Sequence, residues 1–495
     1  MSEAIGQKAN QGISESLSTR VVKGGLWVFA LRFLNRGLGL IKTIILARLL
    51  APEDFGLLGI ALLSISTLET FSQTGFYSAL VQKKEDIESY LDTAWTVSTL
   101  RGIFLFGILF FFAPFIARFF NSLEATRIIR VIALLSLLGG LENIGIVFFQ
   151  KELEFNKRFY YEFAATLTNL IVAVTLAFVL RNVWALVWGG LAASAVKLLL
   201  SYILHPYRPT FKIDRDRFHE LFAFGRWVLC SAILVFLVTQ GDDILVGKVL
   251  GVTALGLYQM AYTLSNLPAT EVTHVISRVT FPAYSKFQED LPRLREAYFK
   301  VFQFTAFLSF PLAGGIFLYA SDFIRIFLGN KWMPMVPAVQ VLVLAGLVRS
   351  IAATTGPIFH ATGKPRIDTS WQIIRLLVLA ILIYPLTLRW GILGTSFAVL
   401  VSISIATIGF FINAIDIMKC GIRGLLKTAI LPCLTTIIIV ALITVYLTYS
   451  SAISALDLLI LIVASSSSYL ILIYFADRTF NYGIHNLIKE LFSIS

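Results

Sequence analysis

The chain is poor in charged residues, in cysteine and in histidine, and each scarcity excludes a class of protein. Only 14% of its 495 residues are charged, whereas a soluble protein of this length carries roughly a quarter to cover its surface. The three cysteines, Cys230, Cys420 and Cys433, show neither zinc nor redox spacing, and no histidine stands with carboxylates at metal-ligand spacing. No P-loop lysine follows a glycine-rich turn. We therefore expect neither a soluble domain, nor a metalloprotein, nor an enzyme.

The sequence is instead rich in apolar runs of about twenty residues. Hydrophobic residues make up 57% of the chain, and the mean hydropathy is +0.81. Each run is long enough to cross about 30 Å of hydrocarbon as a helix, whereas an open sheet edge there would leave backbone groups unpaired. We predict an all-α polytopic membrane protein of about fourteen transmembrane helices. The predicted spans are 21–50, 55–81, 91–119, 127–149, 159–180, 184–204, 221–250, 255–284, 297–319, 336–360, 367–386, 392–413, 428–449 and 456–475.

Basic residues are unevenly shared between the loops and predict the orientation. The net charge of +12 would suggest nucleic-acid binding in a soluble protein, but membrane proteins concentrate Lys and Arg in cytoplasmic loops. The loops 51–54 and 448–455 have none, whereas basic loops occur on the other side. The basic loops are 83–84, 151–158, 208–217, 286–295, 364–366 and 419–427. We therefore predict that both termini lie in the cytoplasm and that the protein has no nucleic-acid partner. We assign residues 21–50 to a transmembrane helix, because no signal-peptide cleavage site follows this apolar run.

An internal repeat becomes visible when the sequence is shifted by 200 residues. Residues 25–27 then align with 225–227, both reading Gly-x-Trp, and residues 44–61 align with 244–261 without a gap. Chance similarity between apolar segments is the alternative explanation. A repeat with an even number of helices predicts two six-helix lobes related by an axis along the membrane normal, a plan found among transporters, followed by two further helices.

The predicted domain organisation follows from this repeat. It comprises a polar cytoplasmic N-terminal tail (1–20), an N-lobe (21–205), an inter-lobe linker (206–220), a C-lobe (221–413), a C-terminal helix pair (428–475) and a cytoplasmic C-terminal tail (476–495).

Ionisable residues at membrane depth mark candidate sites, because they usually face a cavity or a partner. In the first predicted helix, Arg32, Asn35 and Arg36 share one face, with Lys42 at its edge. This cationic stripe suits an anionic ligand, since arginine offers several donors to phosphate oxygens. The alternatives are structural ion pairs with carboxylates of other helices and, for Lys42, snorkelling to an interface.

Polar residues on other helices are further candidates for the lining of a cavity. They are Glu69, Gln73 and Tyr77 on the second predicted helix, Asn266, Glu271, His274 and Arg278 on the eighth, and Arg349 on the tenth. Hydrogen bonding between packed helices is the alternative explanation.

Two adjacent carboxylates, Asp242 and Asp243, lie in the outer third of the seventh predicted helix. They could bind Na⁺ or take up a proton, which would couple transport to an ion gradient. Neutralisation of Lys248 is the alternative. Beyond such a coupling ion, we expect no cofactor.

Several short motifs carry a family resemblance over nearly the whole chain after the N-terminal tail. They are LARLLAPEDFG at 46–56, Gly75-Phe76, ALVQ at 79–82 and FQKE at 149–152. With the six-plus-six-plus-two plan, the chain resembles the bacterial Wzx-type polysaccharide flippases of the multidrug/oligosaccharidyl-lipid/polysaccharide (MOP) exporter superfamily. It is most similar to the branch that contains colanic-acid and lipopolysaccharide-type exporters.

The resemblance implies transport of an undecaprenyl-pyrophosphate-linked oligosaccharide to the periplasmic leaflet by alternating access, for O-antigen, capsule or exopolysaccharide synthesis. It also implies the bacterial inner membrane, a monomer that works beside polysaccharide polymerase or assembly machinery, and a lipid-tail site on the last two helices. Family cavities are basic, and Arg32 and Arg36 fit that pattern.

The alternatives fit the sequence less well. For a multidrug exporter of cationic amphiphiles, the basic stripe is electrostatically unsuitable. A glycosyltransferase or ligase would need a longer external loop, and a scaffold would need no charged stripe.

Overall fold

The computed structural model of the chain describes residue 27 and residues 30–83, 87–152, 154–266, 284–449 and 454–480. Across these stretches the regular elements are all helical, which confirms the predicted fold class. Within the described residues, ten helical stretches are long and apolar enough to cross a membrane, and eleven are if the bent pair Ala125–Leu141 and Ile144–Lys151 counts as one. The chain is thus a multi-pass membrane protein. The figure of fourteen spans stays a prediction.

The helices are numbered in chain order. They are α1 (30–49), α2 (Pro52–Phe71), α3 (Phe76–Gln82), α4 (Glu88–Phe119), α5 (Ala125–Ile132), α6 (Leu134–Leu141), α7 (Val147–Lys151), α8 (Phe155–Leu180), α9 (Trp184–Leu204), α10 (Arg215–Val249), α11 (Val252–Ser265), α12 (Leu291–Phe323), α13 (Val336–Ala352), α14 (Gly356–Ala361), α15 (Pro365–Met418), α16 (Ile422–Tyr449) and α17 (Ala455–Phe480).

The chain divides into two compact units. The first comprises residues 1–236 and 251–253, and the second comprises residues 237–250 and 254–495. The predicted linker is partly helical, since α10 already begins at Arg215. The non-helical segment before it is attached to α4 of the same unit, where Asp92 accepts hydrogen bonds from the backbone N–H (3.0 Å) and the hydroxyl (2.8 Å) of Thr210.

Glycines and alanines let the helices of the first unit approach closely. A Cβ on Gly102 of α4 would lie 2.9 Å from the Cα of Gly140 on α6, and the reverse distance is also 2.9 Å. In the α8–α9 hairpin, Gly189 packs against Ala173 in the same way. Small residues allow such backbone contacts between membrane helices.

Two predicted continuous helices are broken in the first unit, so those predictions are wrong. The span predicted at 55–81 ends as α2 at Phe71 and restarts as α3 at Phe76, because Gly75 adopts the left-handed conformation with φ 70°. The span predicted at 127–149 bends by 70°. At this bend Asn143 accepts a hydrogen bond from the backbone N–H of Gly145 at 2.9 Å and starts a short 3₁₀ turn.

Helix α15 of the second unit is a hairpin of two antiparallel arms. A straight helix of its 54 residues would be about 81 Å long, far more than a membrane needs. Gly391 interrupts it with φ 59° and ψ −139°. The hydroxyls of Thr387 and Thr395 are 2.8 Å apart, and a Cβ on Gly409 would lie 2.2 Å from the Trp371 ring. The two arms correspond to the predicted spans 367–386 and 392–413.

The span predicted at 336–360 is also interrupted. It ends as α13 at Ala352 and continues as α14 from Gly356.

The helix breaks around residues 50 and 250 correspond to each other at the offset of the predicted repeat. Helix α1 ends at residue 49 and α2 starts at Pro52, while α10 ends at Val249 and α11 starts at Val252. The last amide before each break bonds to the carbonyl four residues earlier, at 2.8 Å for Leu50 and 2.9 Å for Leu250. The two segments thus share a local conformation; the six-helix lobes stay a prediction.

Candidate functional site

The cationic stripe lies on the half-buried face of α1. Arg32, Asn35 and Arg36 are each partly buried, and Asn35 Oδ1 has no hydrogen-bond partner among the described residues. Apolar side chains of the same helix are exposed, 71% for Phe33 and 51% for Ile41. This inverted distribution, with apolar groups outside, is what a hydrocarbon environment favours.

Lys42 lies in the wall of a cavity of about 230 Å³ between α1, α8 and α9. Its Nζ donates to Asn169 Oδ1 at 3.1 Å. A second lysine, Lys197 of α9, lines the same cavity and has its Nζ 5.6 Å from the centre of the Tyr161 ring. The sequence reasoning missed Lys197, although a lysine inside an apolar span was the signal that could have found it.

Glu69 interacts with α6 and α4 of the first unit. Its carboxylate accepts a hydrogen bond from Ser136 at 3.4 Å, and Arg101 donates to the Glu69 carbonyl at 2.8 Å and to Ser72 Oγ at 2.9 Å. Arg101, which the sequence reasoning also missed, thereby bonds to the C-terminal turn of α2.

The other two candidates of this segment lie at and after the helix break. Gln73 is exposed between α2 and α3. The hydroxyl of Tyr77, in α3, donates to Gln150 Oε1 at 3.4 Å. The three polar residues predicted on one continuous helix are therefore separated, with Glu69 in α2, Gln73 between the helices and Tyr77 in α3.

The second unit brings Asn266 and Arg349 together. Arg349 Nη1 donates to Asn266 Oδ1 at 2.8 Å and to the Tyr262 hydroxyl at 2.6 Å. The guanidinium also lies 5.4 Å from the centre of the Tyr262 ring, within cation–π range. Arg349 thus takes part in a polar network with α11.

Asp242 and Asp243 lie near this network within the second unit. Asp242 is 3% exposed, and its Oδ2 accepts a hydrogen bond from the Tyr258 hydroxyl at 2.7 Å. Asp243 Oδ1 is buried without a hydrogen-bond partner in the described part of the chain. Arg375 of α15, itself 8% exposed, interacts electrostatically with Asp242 and Arg349. Two carboxylates and two guanidiniums therefore share one buried region.

Three predicted site residues, Glu271, His274 and Arg278, lie outside the described residues. Among the residues that the structure does describe, no group of three or more His, Cys, Asp and Glu side chains could hold a metal ion.

The apolar spans define a multi-pass membrane protein that also contains buried polar clusters. The family model described as polysaccharide biosynthesis protein matches residues 45–337, which is more than half of the chain. The chain therefore belongs to this polysaccharide biosynthesis family.

Comparisons with individual proteins agree with this membership. The chain is 28% identical to the lipopolysaccharide biosynthesis protein WzxC of Escherichia coli (strain K12), over 72% of this chain and 73% of that protein. It is 25% identical to an uncharacterized membrane protein in the cps region of Klebsiella pneumoniae, over 96% and 99% of the two chains. The solved structure of the lipid II flippase MurJ, in an inward closed conformation, has a similar fold, with a TM-score of 0.73 and 16% identity over 92% of this chain and 99% of that one. The predicted family resemblance and superfamily fold are confirmed.

Proposed function

We propose that the protein is a flippase that moves an undecaprenyl-pyrophosphate-linked oligosaccharide from the cytoplasmic to the periplasmic leaflet of a bacterial inner membrane. The product would feed the synthesis of O-antigen, capsule or exopolysaccharide. The supporting observation is that a member of a polysaccharide biosynthesis family has, over 92% of its length, the fold of a lipid II flippase.

The physical chemistry of the substrate is consistent with this proposal. A pyrophosphate diester and a hydrated sugar chain cannot enter hydrocarbon, because their polar groups would lose water without compensation. A basic cavity replaces that hydration, and two conformations that bind the ligand differently are sufficient for transport. We propose that Arg32 and Arg36 of the first unit contact the pyrophosphate, and that Arg349 of the second unit is also a substrate-binding residue. No bond is made or broken in this process, so the protein acts as a transporter rather than an enzyme.

The last two helices suit the polyprenyl tail. Large apolar side chains of α16 and α17 are exposed, among them Leu442 and Val463, each at 64%. Such surfaces lie against acyl chains at no electrostatic cost. We propose that the tail stays in the lipid beside α16 and α17 while the head group crosses.

The energy source proposed for transport is an Na⁺ or H⁺ gradient, acting through Asp242 and Asp243. The buried oxygen of Asp243, without a hydrogen-bond partner among the described residues, is available to a cation or a proton. We further propose a monomer with both termini in the cytoplasm that delivers its product to a polysaccharide polymerase.

The test is the sidedness of the lipid-linked oligosaccharide pool in cells with and without the protein. We expect its loss to trap the glycan in the cytoplasmic leaflet, and Arg32→Ala or Arg36→Ala to lower translocation at least about tenfold, since charged hydrogen bonds are lost. Arg130→Ala is the control, because this half-buried arginine lies on α5, outside the α1 stripe, and its Nε donates to the Phe110 carbonyl of α4 at 3.2 Å. An unchanged pool in cells without the protein would refute the proposed function.

A further inference from the structure

The cavity between α1, α8 and α9 has an unusual charge for a space inside a membrane protein. Two lysines line it, Lys42 from α1 and Lys197 from α9, together with the neutral Thr166 and Asn169 from α8. The remaining wall is small or apolar, and Gly39 leaves open space, since a Cβ at that position would meet nothing within 4 Å.

Neither ammonium group is neutralised by an ion pair in the described part of the chain. Lys42 donates to the amide oxygen of Asn169 at 3.1 Å, and Lys197 faces the Tyr161 ring at 5.6 Å. Glu142 acts on Lys197 electrostatically, but its carboxylate accepts a hydrogen bond from the Tyr161 hydroxyl at 2.8 Å instead. An ammonium has three donors, so each lysine retains hydrogens for a ligand.

Two like charges beside one cavity repel each other, and low-polarity surroundings strengthen the repulsion. A bound anion would offset this repulsion, because it interacts favourably with both ammonium groups. The same charges disfavour Na⁺ in this cavity, which leaves cation coupling to the carboxylates of the second unit.

The size of the cavity limits the ligand. At about 230 Å³ it is smaller than the roughly 300–1,000 Å³ of sites for drug-sized molecules. It can take a diphosphate or one sugar ring, but not an oligosaccharide. Lysine binds phosphate and carboxylate as a compact point charge, and Asn169 and Thr166 add neutral hydrogen-bonding groups suited to sugar hydroxyls.

We propose that the cavity lined by Lys42 and Lys197 binds one oxyanion group of the transported glycolipid. The oxyanion belongs either to the pyrophosphate linker or to the carboxylate of an acidic sugar. This inference rests on the proposed flippase function and assigns a subsite within it. Lys197 and Asn169 then select for negatively charged repeat units or for the charged linker.

The experiment measures binding to the purified full-length protein in detergent at low salt, by isothermal titration calorimetry. The probes are geranyl pyrophosphate for the linker, sodium glucuronate for an acidic sugar, and glucose as the neutral control. We expect one of the two anions to bind and glucose not to bind. Preference for geranyl pyrophosphate assigns the cavity to the linker, and preference for glucuronate assigns it to the sugar.

The variants test separately the charges of the two lysines, the free volume of the cavity and the folding of the protein. We expect Lys42→Met and Lys197→Met each to weaken anion binding about tenfold or more, as loss of a charged hydrogen bond does, and Lys197→Arg to retain it within about threefold. Gly39→Val, which keeps both lysines but fills the cavity, should also weaken binding. Lys157→Met is the matched control, since Lys157 already pairs with Glu154 at 2.8 Å in the same unit.

Anion binding that is absent in the wild type, or that is as strong in both methionine variants as in the wild type, would overturn the subsite. The pool measurement described above separates this result from failure of the proposed function. If the pool still depends on the protein, only the subsite is wrong. If lysine-dependent binding is found but the pool is independent of the protein, the flippase proposal is wrong and the anion site remains.

Discussion

Buried charges in the second unit are held by neutral side chains as well as by each other. Arg349 donates to Tyr262 and Asn266, and Asp242 accepts from Tyr258. Removing one partner from a buried charged network leaves the others desolvated and without compensation, which costs more than the loss of an exposed ion pair. The stability of the unit should therefore depend on Arg349 more than on surface arginines.

We predict that Arg349→Met lowers the free energy of unfolding by about 2–3 kcal/mol, because it removes two charged hydrogen bonds and positive charge near Asp242. Denaturant unfolding in detergent measures the change. Arg325→Met is the control, since Arg325 pairs with Asp322 only three residues away at 2.7 Å and is 43% exposed. Equal losses for the two variants would contradict the structural role of the network.

A second residue-scale prediction concerns His205, which follows α9. Burial lowers the pKa of this imidazole, and Lys157 nearby lowers that pKa further. The neutral ring accepts a hydrogen bond from the Tyr207 backbone N–H at 3.3 Å and stacks on Phe148 with 5.2 Å between ring centres. Protonation of Nδ1 would remove that acceptor.

The lowered pKa of His205 means that the unfolded chain binds a proton more readily than the folded chain. Stability contributed by the neutral ring is therefore lost as the pH falls through the ordinary histidine value of about 6.5. We predict that lowering the pH from about 7.5 to 5.5 decreases the melting temperature less in His205→Asn, which keeps a hydrogen-bond acceptor, than in the wild type. Melting curves of both proteins at the two pH values measure this difference. An identical loss in the variant would exclude His205 as the cause.

At the scale of elements, one close helix contact in the first unit depends on two glycines. A Cβ on Gly102 would lie 2.7 Å from the Ser136 carbonyl oxygen, and a Cβ on Gly140 would lie 2.8 Å from that of Ser98. The Thr99 hydroxyl also donates to the Gly140 carbonyl at 2.9 Å. Helices α4 and α6 would have to separate to accommodate any side chain there.

We predict that Gly102→Ala or Gly140→Ala destabilises the protein by about 1–3 kcal/mol, the usual cost of overpacking. Gly107→Ala on α4 and Gly139→Ala on α6 are matched controls, because a Cβ at either position meets nothing within 4 Å. The controls should be neutral or slightly stabilising, since alanine favours helix. Melting temperatures of the four variants in one detergent decide the question, and destabilisation by the controls alone would contradict the packing argument.

The positions of uninterrupted helices could be predicted from the sequence more accurately than the positions of helix breaks. The bounds of α9, at 184 and 204, match the predicted span, because apolar length alone determines such a helix. The break at Gly75 escaped prediction, since a glycine with positive φ has the same sequence signal as a packed glycine. Arg101 was missed because its partner Glu69 comes from a distant part of the chain. Lys197 was missed because Lys42 and Asn169, which line the same cavity, are also distant from it in the sequence.

At the scale of the whole molecule, the predicted orientation rests on the distribution of basic residues and can be tested at one helix. Helix α9 has 21 residues and is about 31 Å long, enough to cross the membrane once. Asn182 lies exposed just before it, and Lys212 lies exposed in the basic segment after it. If positive residues mark the cytoplasmic side, the two positions lie on opposite sides of the membrane.

We predict that Asn182→Cys reacts with a membrane-impermeant maleimide in intact spheroplasts, whereas Lys212→Cys reacts only after the membrane is opened. Cys230, Cys420 and Cys433 are first replaced by alanine, because all three are free thiols. The Lys212→Cys variant after lysis controls for reactivity. The opposite pattern would invert the orientation and place the termini outside, and labelling of both positions from one side would show that α9 does not cross. Since the proposed substrate is made at the cytoplasmic leaflet, this measurement also fixes which end of α9 faces the side from which the glycolipid would enter.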